Sequence, residues 1–127
     1  MTKEDVEQIA IMQWAVSSRA KYPELKLLHH IPNERKCSPQ QGQYLKRKGV
    51  KAGVPDLCLP VARKGYNGMY IELKRSDGGR LSDEQKWWLE ELTMQGYAAI
   101  VCHGADEAIR AIKDYLSGSN GFGSTGR

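Results

Sequence analysis

An aspartate and a Glu-x-Lys stand in two runs that are otherwise rich in apolar residues: Asp56 in "GVPDLCLP", and Glu72 with Lys74 in "GMYIELKR". Charged side chains are seldom buried unless paired or bound to a metal, because stripping water from an ion costs several kcal/mol or more. If the two runs form an antiparallel pair, the carboxylates of Asp56 and Glu72 converge. Residues two apart on a strand share a face, so Glu72 and Lys74 look the same way, and Tyr70 extends the row. Two hard oxygen ligands with room for water suit Mg²⁺ or Mn²⁺, an ion that binds protein through one or two carboxylates and fills its shell with water and phosphate oxygens. An ammonium beside them completes a constellation for phosphodiester cleavage, with Lys74 orienting the attacking water or stabilising transition-state charge. Lysine as the base ranks second, since it would need a strongly depressed pKa. The plainer reading makes Asp56 a turn cap and Glu72–Lys74 an exposed ion pair contributing about 0–1 kcal/mol.

The surroundings of this trio are basic. Arg35, Lys36, Lys46, Arg47, Lys48 and Lys51 fall between residues 35 and 55 with no acidic residue among them, and Arg75 follows the Glu-x-Lys directly. A block of this kind is either a solvated face or a phosphate-binding surface, and the second would show as strong salt dependence of binding. On the second reading, Lys46, Arg47, Lys48, Lys51 and Arg75 are the candidate residues for binding nucleic-acid phosphates.

Several elements must hold these side chains in place. From Lys3 to about Ala20, the residues Val6, Ile9, Ala10, Gln13, Val16 and Ser17 fall near one helical face, and Tyr22-Pro23 ends that helix. "LKLLHHI" reads as a short strand and "PNERKCSPQQG" as a loop, with a short basic helix from Gln43 to Lys48. "DLCLPVA" and "GMYIELK" form a hairpin through "RKGYNG", where Asn67-Gly68 is expected to supply the positive-φ turn. Ser82 and Gln85 make a capping box for a helix carrying Trp88, Leu89 and Leu92, and Gly96 ends it. "YAAIVC" is a fourth strand and "ADEAIRAIKDYL" a closing amphipathic helix. The expected architecture is α/β, a central mixed sheet flanked by helices in the order α-β-β-β-α-β-α.

The 127 residues suit one domain able to bury a core without metal or disulfide staples, placed over residues 1–116. Residues 117–127 hold four Gly and three Ser in eleven positions and read as a flexible tail. Cys37, Cys58 and Cys102 form no CxxC pair, which fits a reducing cytosol. No apolar run approaches the roughly 18 residues of a membrane span, so no membrane association is expected. A net charge of +4 is weak evidence alone.

"GVPD" followed by "IELK" after a hairpin resembles the PD-(D/E)XK, restriction-endonuclease-like superfamily. Together with "HIPNE", "LKRKGVKAGVPDLCLP", "LSDEQKWWLEEL" and "GYAAIVCHGADEAI", these segments resemble the VRR-NUC, or virus-type replication-repair nuclease, family over about Lys3 to Leu116. The resemblance implies metal-dependent cleavage of branched DNA, like that of small free-standing phage and bacterial members similar to Holliday-junction resolvases, and a cytoplasmic or nucleoid-associated setting in a bacterial or phage-infected cell. It carries the family's Asp to Asp56 and its Glu-x-Lys to Glu72 and Lys74, with Asp56 and Glu72 as metal ligands. A first-helix Glu in an E-x-x-x-Q pattern carries to Glu4 and Gln8, with Glu7 competing, and an LSxEQ-like segment carries to Gln85, which is equally readable as a helix cap. Paired incisions in a four-way junction imply a homodimer. The competitors are a flap, fork or restriction-type nuclease on the same fold and a non-catalytic DNA-binding module. His29 and His30, without a third ligand at metal spacing, read as core or surface histidines. Trp87 is left near a surface or partner while Trp88 packs, and Asn33 either touches the site or caps a turn.

Overall fold

The computed structural model describes residues 1–33 and 37–118. Its order is α1 (Lys3–Ser17), a 3-10 helix (Pro23–Leu27), β1 (His29–His30), α2 (Pro39–Arg47), β2 (Leu57–Leu59), β3 (Met69–Lys74), α3 (Asp83–Met94), β4 (Ala98–His103) and α4 (Ala105–Leu116). The strands make one mixed sheet in the order β1-β2-β3-β4, antiparallel across the first two pairs and parallel between β3 and β4. That parallel pair requires a crossover, which α3 supplies. The α/β class and the mixed sheet flanked by helices agree with expectation, with α2 inserted ahead of the hairpin.

The core lies on one face of the sheet. Leu57, Leu59, Met69, Ile71, Leu73 and Cys102 project there and meet Ile11 and Ala15 of α1 and Ala108, Ile112, Tyr115 and Leu116 of α4. Fully burying an aliphatic side chain contributes about 1.5–3 kcal/mol, so this layer carries most of the stability.

The buried stripe of α1 differs from the expected one. Ile11 and Ala15 are buried, whereas Val6, Ile9 and Val16 are exposed at 55%, 44% and 58%. The helix carries two apolar stripes, and the core takes the one with the smaller residue, since Ala15 permits close approach to α4. Glu7 fixes that rotation: its Oε1 accepts the Ala105 N–H at 3.0 Å and so caps the start of α4, which has no side-chain cap of its own. Gly104 has φ +89°, and a Cβ there would fall 2.9 Å from Ser76 Cβ and 3.2 Å from Glu7 Oε2.

Three other local expectations are corrected. "LKLLHHI" is strand only at His29–His30, because Pro23 opens a 3-10 helix that runs to Leu27. The basic helix starts at Pro39 rather than Gln43, since Ser38 caps it and Gln41 reaches back to the Ser38 N–H at 3.1 Å. The positive-φ turn of the hairpin sits at Lys64 (φ 55°) and Gly65 (φ 86°), closed by the Tyr66 N–H on Arg63 O at 2.8 Å. Asn67 serves elsewhere, donating its Nδ2 to Gln95 O at 2.7 Å and its N–H to Gly96 O at 2.8 Å, which ties the hairpin to the turn before β4. The strand β2 stops at Leu59 because Pro60 has no N–H to give the ladder.

Candidate active site

Alternation along β3 sends Met69, Ile71 and Leu73 into the core and Tyr70, Glu72 and Lys74 to the opposite face. The pairing of Leu57 with Ile71, Cys58 with Tyr70 and Leu59 with Met69, continued by one step, sets Asp56 opposite Glu72. Directly opposed side chains in an antiparallel pair have Cβ atoms about 4.5–5.5 Å apart. Asp56 is 3% exposed, Glu72 1% and Lys74 6%, so all three charges are buried side by side. This excludes the reading of Glu72 and Lys74 as an exposed surface pair.

Each charge is held by a specific contact. Asp56 Oδ2 accepts the Leu73 N–H at 2.7 Å, which locks the aspartate across the mouth of the hairpin. The backbone oxygen of Asp56 accepts from Ile31 N–H and His30 Nδ1, both at 2.8 Å, so β1 fixes it from the other side. Lys74 Nζ lies 3.7 Å from Glu72 Oε2 and donates to Gln85 Oε1 at 3.0 Å. Gln85 Nε2 donates to Glu72 Oε2 at 3.1 Å. The same Oε1 also accepts the Ser82 N–H at 2.9 Å, while Ser82 Oγ accepts the Gln85 N–H at 3.1 Å. Gln85 is thus both the helix cap and the clasp between Glu72 and Lys74. Its two readings are one arrangement.

Gly53 sets the distance between this hairpin and α3. With φ +89°, it comes so near the first turn of α3 that a Cβ would lie 2.6 Å from the Glu84 backbone carbon. Trp88 Nε1 donates to Ala52 O at 3.1 Å and reinforces the contact. Gly79 (φ +117°) plays a related part over Lys74, where a Cβ would meet the lysine Cδ at 3.3 Å.

Behind Asp56 and Glu72 the row continues with Cys58 and Tyr70. Burial raises the Cys58 thiol, and a hydrogen bond with Tyr70 offsets part of that rise. Burial, with Cys58 adding to it, pushes the Tyr70 hydroxyl up to about 12. Both groups are neutral at physiological pH. They wall the charged row without adding charge to it.

A scan against family models matches the chain to the VRR-NUC domain over residues 2–106. Among solved structures, a VRR_NUC domain protein shares 34% identity, with 97% of this chain and 95% of that chain covered and a TM-score of 0.79. No curated protein matches. The chain belongs to the VRR-NUC family. VRR-NUC is a nuclease-type domain family, and the fold agrees with it.

The remaining candidate residues of this VRR-NUC chain separate clearly. Glu4, in the first turn of α1 behind the Thr2–Asp5 capping box, lines one cleft with Lys74, Arg75 and Arg80 and a second with His30 and Asn33. Glu7 is turned instead to α4. Lys46, Arg47, Lys48 and Lys51 are exposed on and after α2, and Lys48 Nζ stacks 5.1 Å over the Tyr44 ring. Arg35 and Lys36 lie outside the described residues, as does the expected tail from Ser119 on. His29 and His30 are exposed and bonded to backbone oxygens, Trp87 is exposed, and Trp88 packs on the Gly53 linker. Arg80, which the sequence did not single out, also lines the Lys74 cleft; its one sequence signal is its place directly after Gly78-Gly79, a pair that turns the chain back over Lys74.

Proposed function

We propose that this VRR-NUC domain is a Mg²⁺- or Mn²⁺-dependent, structure-selective DNA endonuclease that cuts branched DNA in the manner of a Holliday-junction resolvase. The observation that carries the reading is the buried row of Asp56, Glu72 and Lys74, clasped by Gln85. Burying like charges opposite one another lowers stability, so an arrangement that keeps two carboxylates there is explained by chemistry rather than by folding.

The donor set fits a hard divalent cation. Among the described residues no group of three His, Cys, Asp or Glu side chains is assembled, so an ion held by Asp56 and Glu72 would take its remaining ligands from water and phosphate oxygens, as Mg²⁺ commonly does. Such an ion would supply charge neutralisation and water activation. Lys74 would place its ammonium against the charge that develops on the scissile phosphate, and Gln85 would hold Lys74 and Glu72 in register before DNA arrives. Glu4 faces the same cleft from α1 as an accessory acid. The exposed cations of α2 and its following loop, with Arg75, would contact backbone phosphates and carry no base sequence information, which leaves specificity to DNA shape.

A four-way junction needs two symmetric cuts, and the described residues of each chain hold one such row, so the active form would be a C2 homodimer. The exposed outer row of α1, with Val6, Ile9, Val16 and the half-buried Met12, supports this, because a standard interface of roughly 1,200–2,000 Å² needs an apolar centre. The deciding experiment incubates labelled four-way, forked, flapped and linear DNAs with the protein, with and without EDTA, alongside light scattering. Paired symmetric cuts by a dimer are expected. Cutting of flaps by a monomer would replace the junction assignment, and metal-independent or absent cutting would remove the nuclease assignment.

A further inference from the structure

The cleft beside Lys74 has a wall that the reaction chemistry leaves unused. Thr2, Lys3, Arg75, Gly79 and Arg80 line it together with Glu4 and Lys74, around about 530 Å³. The segment from Arg75 to Leu81 reaches this position by two glycines with positive φ, Gly78 at 135° and Gly79 at 117°. Its backbone runs along the Lys74 stem, as the 3.3 Å approach at Gly79 shows, and so brings Arg80 to the lysine's own opening.

The cations of this wall are not equivalent. Asp77 holds Lys3 Nζ at 2.9 Å and Arg75 Nε at 3.5 Å. The hydrogen bond and charge of Lys3, with Arg75 adding to them, hold the Asp77 carboxyl below its ordinary range. Arg80 is exposed and makes no ion pair with the described residues. A guanidinium presents a planar fork of donors that matches a phosphate bidentately, which a lysine ammonium cannot do.

We propose that Arg80 is a substrate-positioning residue that grips a non-reacting backbone phosphate of the strand being cut, while Lys3 and Arg75, already engaged by Asp77, form a weaker rim. The inference rests on the nuclease reading of the Lys74 site. Gripping one phosphate beside the reacting one fixes the register of the strand over Lys74, which is how positioning contributes to rate.

The test uses the full chain carrying Glu72→Gln, which keeps DNA intact, and measures binding to a four-way junction by fluorescence anisotropy over a KCl series. Adding Arg80→Gln should make the log–log salt slope shallower by about 0.9, the value for one phosphate contact, and Arg80→Lys should restore it. Methylphosphonates are then scanned singly along one strand across the branch point. At one position, neutralising the phosphate should weaken binding of Glu72→Gln severalfold without weakening Glu72→Gln/Arg80→Gln any further. In the otherwise unaltered enzyme, Arg80→Gln should raise KM, with Arg80→Lys intermediate. An unchanged salt slope, or losses that add at every methylphosphonate position, would overturn the assignment. Because the binding arms use a protein that does not cut, they are read independently of the cleavage assay that tests the nuclease itself.

Discussion

The two faces of β3 are built from alternate residues of a single six-residue strand, yet they obey opposite rules. Met69, Ile71 and Leu73 are buried among aliphatic neighbours, and each adds stability in proportion to the apolar area it hides. Tyr70, Glu72 and Lys74 are equally shielded or nearly so, but there burial desolvates charge and costs free energy unless each ion is held by a partner. Burial by itself therefore does not identify a structural residue. What separates the faces is whether the surroundings were arranged to fill space or to hold charge, as the Gln85 clasp and the Leu73 N–H on Asp56 do.

Substitutions on either side of one peptide bond should break this comparison in opposite directions. The largest effect belongs to Glu72→Gln, which keeps the side-chain shape and removes a ligand charge: turnover on branched DNA should fall by orders of magnitude while the melting temperature changes little, since relief of the carboxylate facing Asp56 is offset by loss of the Lys74 ion pair. Wild-type cleavage rates for the variant would dismiss the site. Ile71→Ala, one residue away, should reverse the pattern, losing about 2–5 kcal/mol in urea unfolding as a cavity opens in the core, with turnover per folded molecule largely retained.

Divalent ions should sharpen the contrast. An ion bound to the charged face stabilises the folded state by RT ln(1 + [L]/Kd), about 2.7 kcal/mol at one hundred times Kd. Thermal melts should rise with Mg²⁺ or Mn²⁺ and fall back with EDTA for the wild type and for Ile71→Ala, whereas Glu72→Gln should show little response. Equal shifts in all three proteins would place the ion elsewhere.

Gln85 allows the clasp to be separated from the helix cap. Gln85→Glu retains an acceptor for the Ser82 N–H but sets a carboxylate against Glu72, so turnover should drop at least tenfold while circular dichroism keeps the α3 contribution. Gln85→Ala loses both functions and should cost a further ~0.3–1.5 kcal/mol of stability. The smallest effect is at the thiols, one on each face. Cys58 is raised and Cys102 is raised to about 12, so thiolate is scarce in both at pH 8 and scarcer in Cys102. Alkylation followed by mass spectrometry should find Cys37 modified first, then Cys58 as pH rises, and Cys102 last.

Charges set in apolar runs made the juxtaposition of the candidate residues legible: an Asp and a Glu-x-Lys do not enter strands without a reason, and the hairpin that joins them is short. The capping box at Ser82 and Gln85 was equally readable, because its two hydrogen bonds are local. What escaped was decided by contacts between distant segments. The buried stripe of α1 was chosen by α4 and by Glu7 on the Ala105 N–H, neither visible in the helix's own periodicity. Asn67-Gly68 carries a turn signal, but its amide was needed by Gln95, and the neighbouring Lys64-Gly65 took the turn. Arg80 reached the cleft only through the φ values of Gly78 and Gly79.

The three residue pairs that join β2 to β3 form a short ladder, and short ladders are prone to slip. Because six pairs to β4 hold β3, a one-residue shift would exchange the faces of β2, driving Asp56 and Cys58 into the aliphatic layer and turning Leu57 and Leu59 outward. Few errors in pairing cost more, because the misplaced aspartate would lose water without gaining the Leu73 N–H. The residues that weaken the native state thus raise the free energy of its nearest misregistered competitor by more. A chain cleared of these charges, with apolar residues on both faces of the strand, would gain stability and lose its means of telling one register from the next.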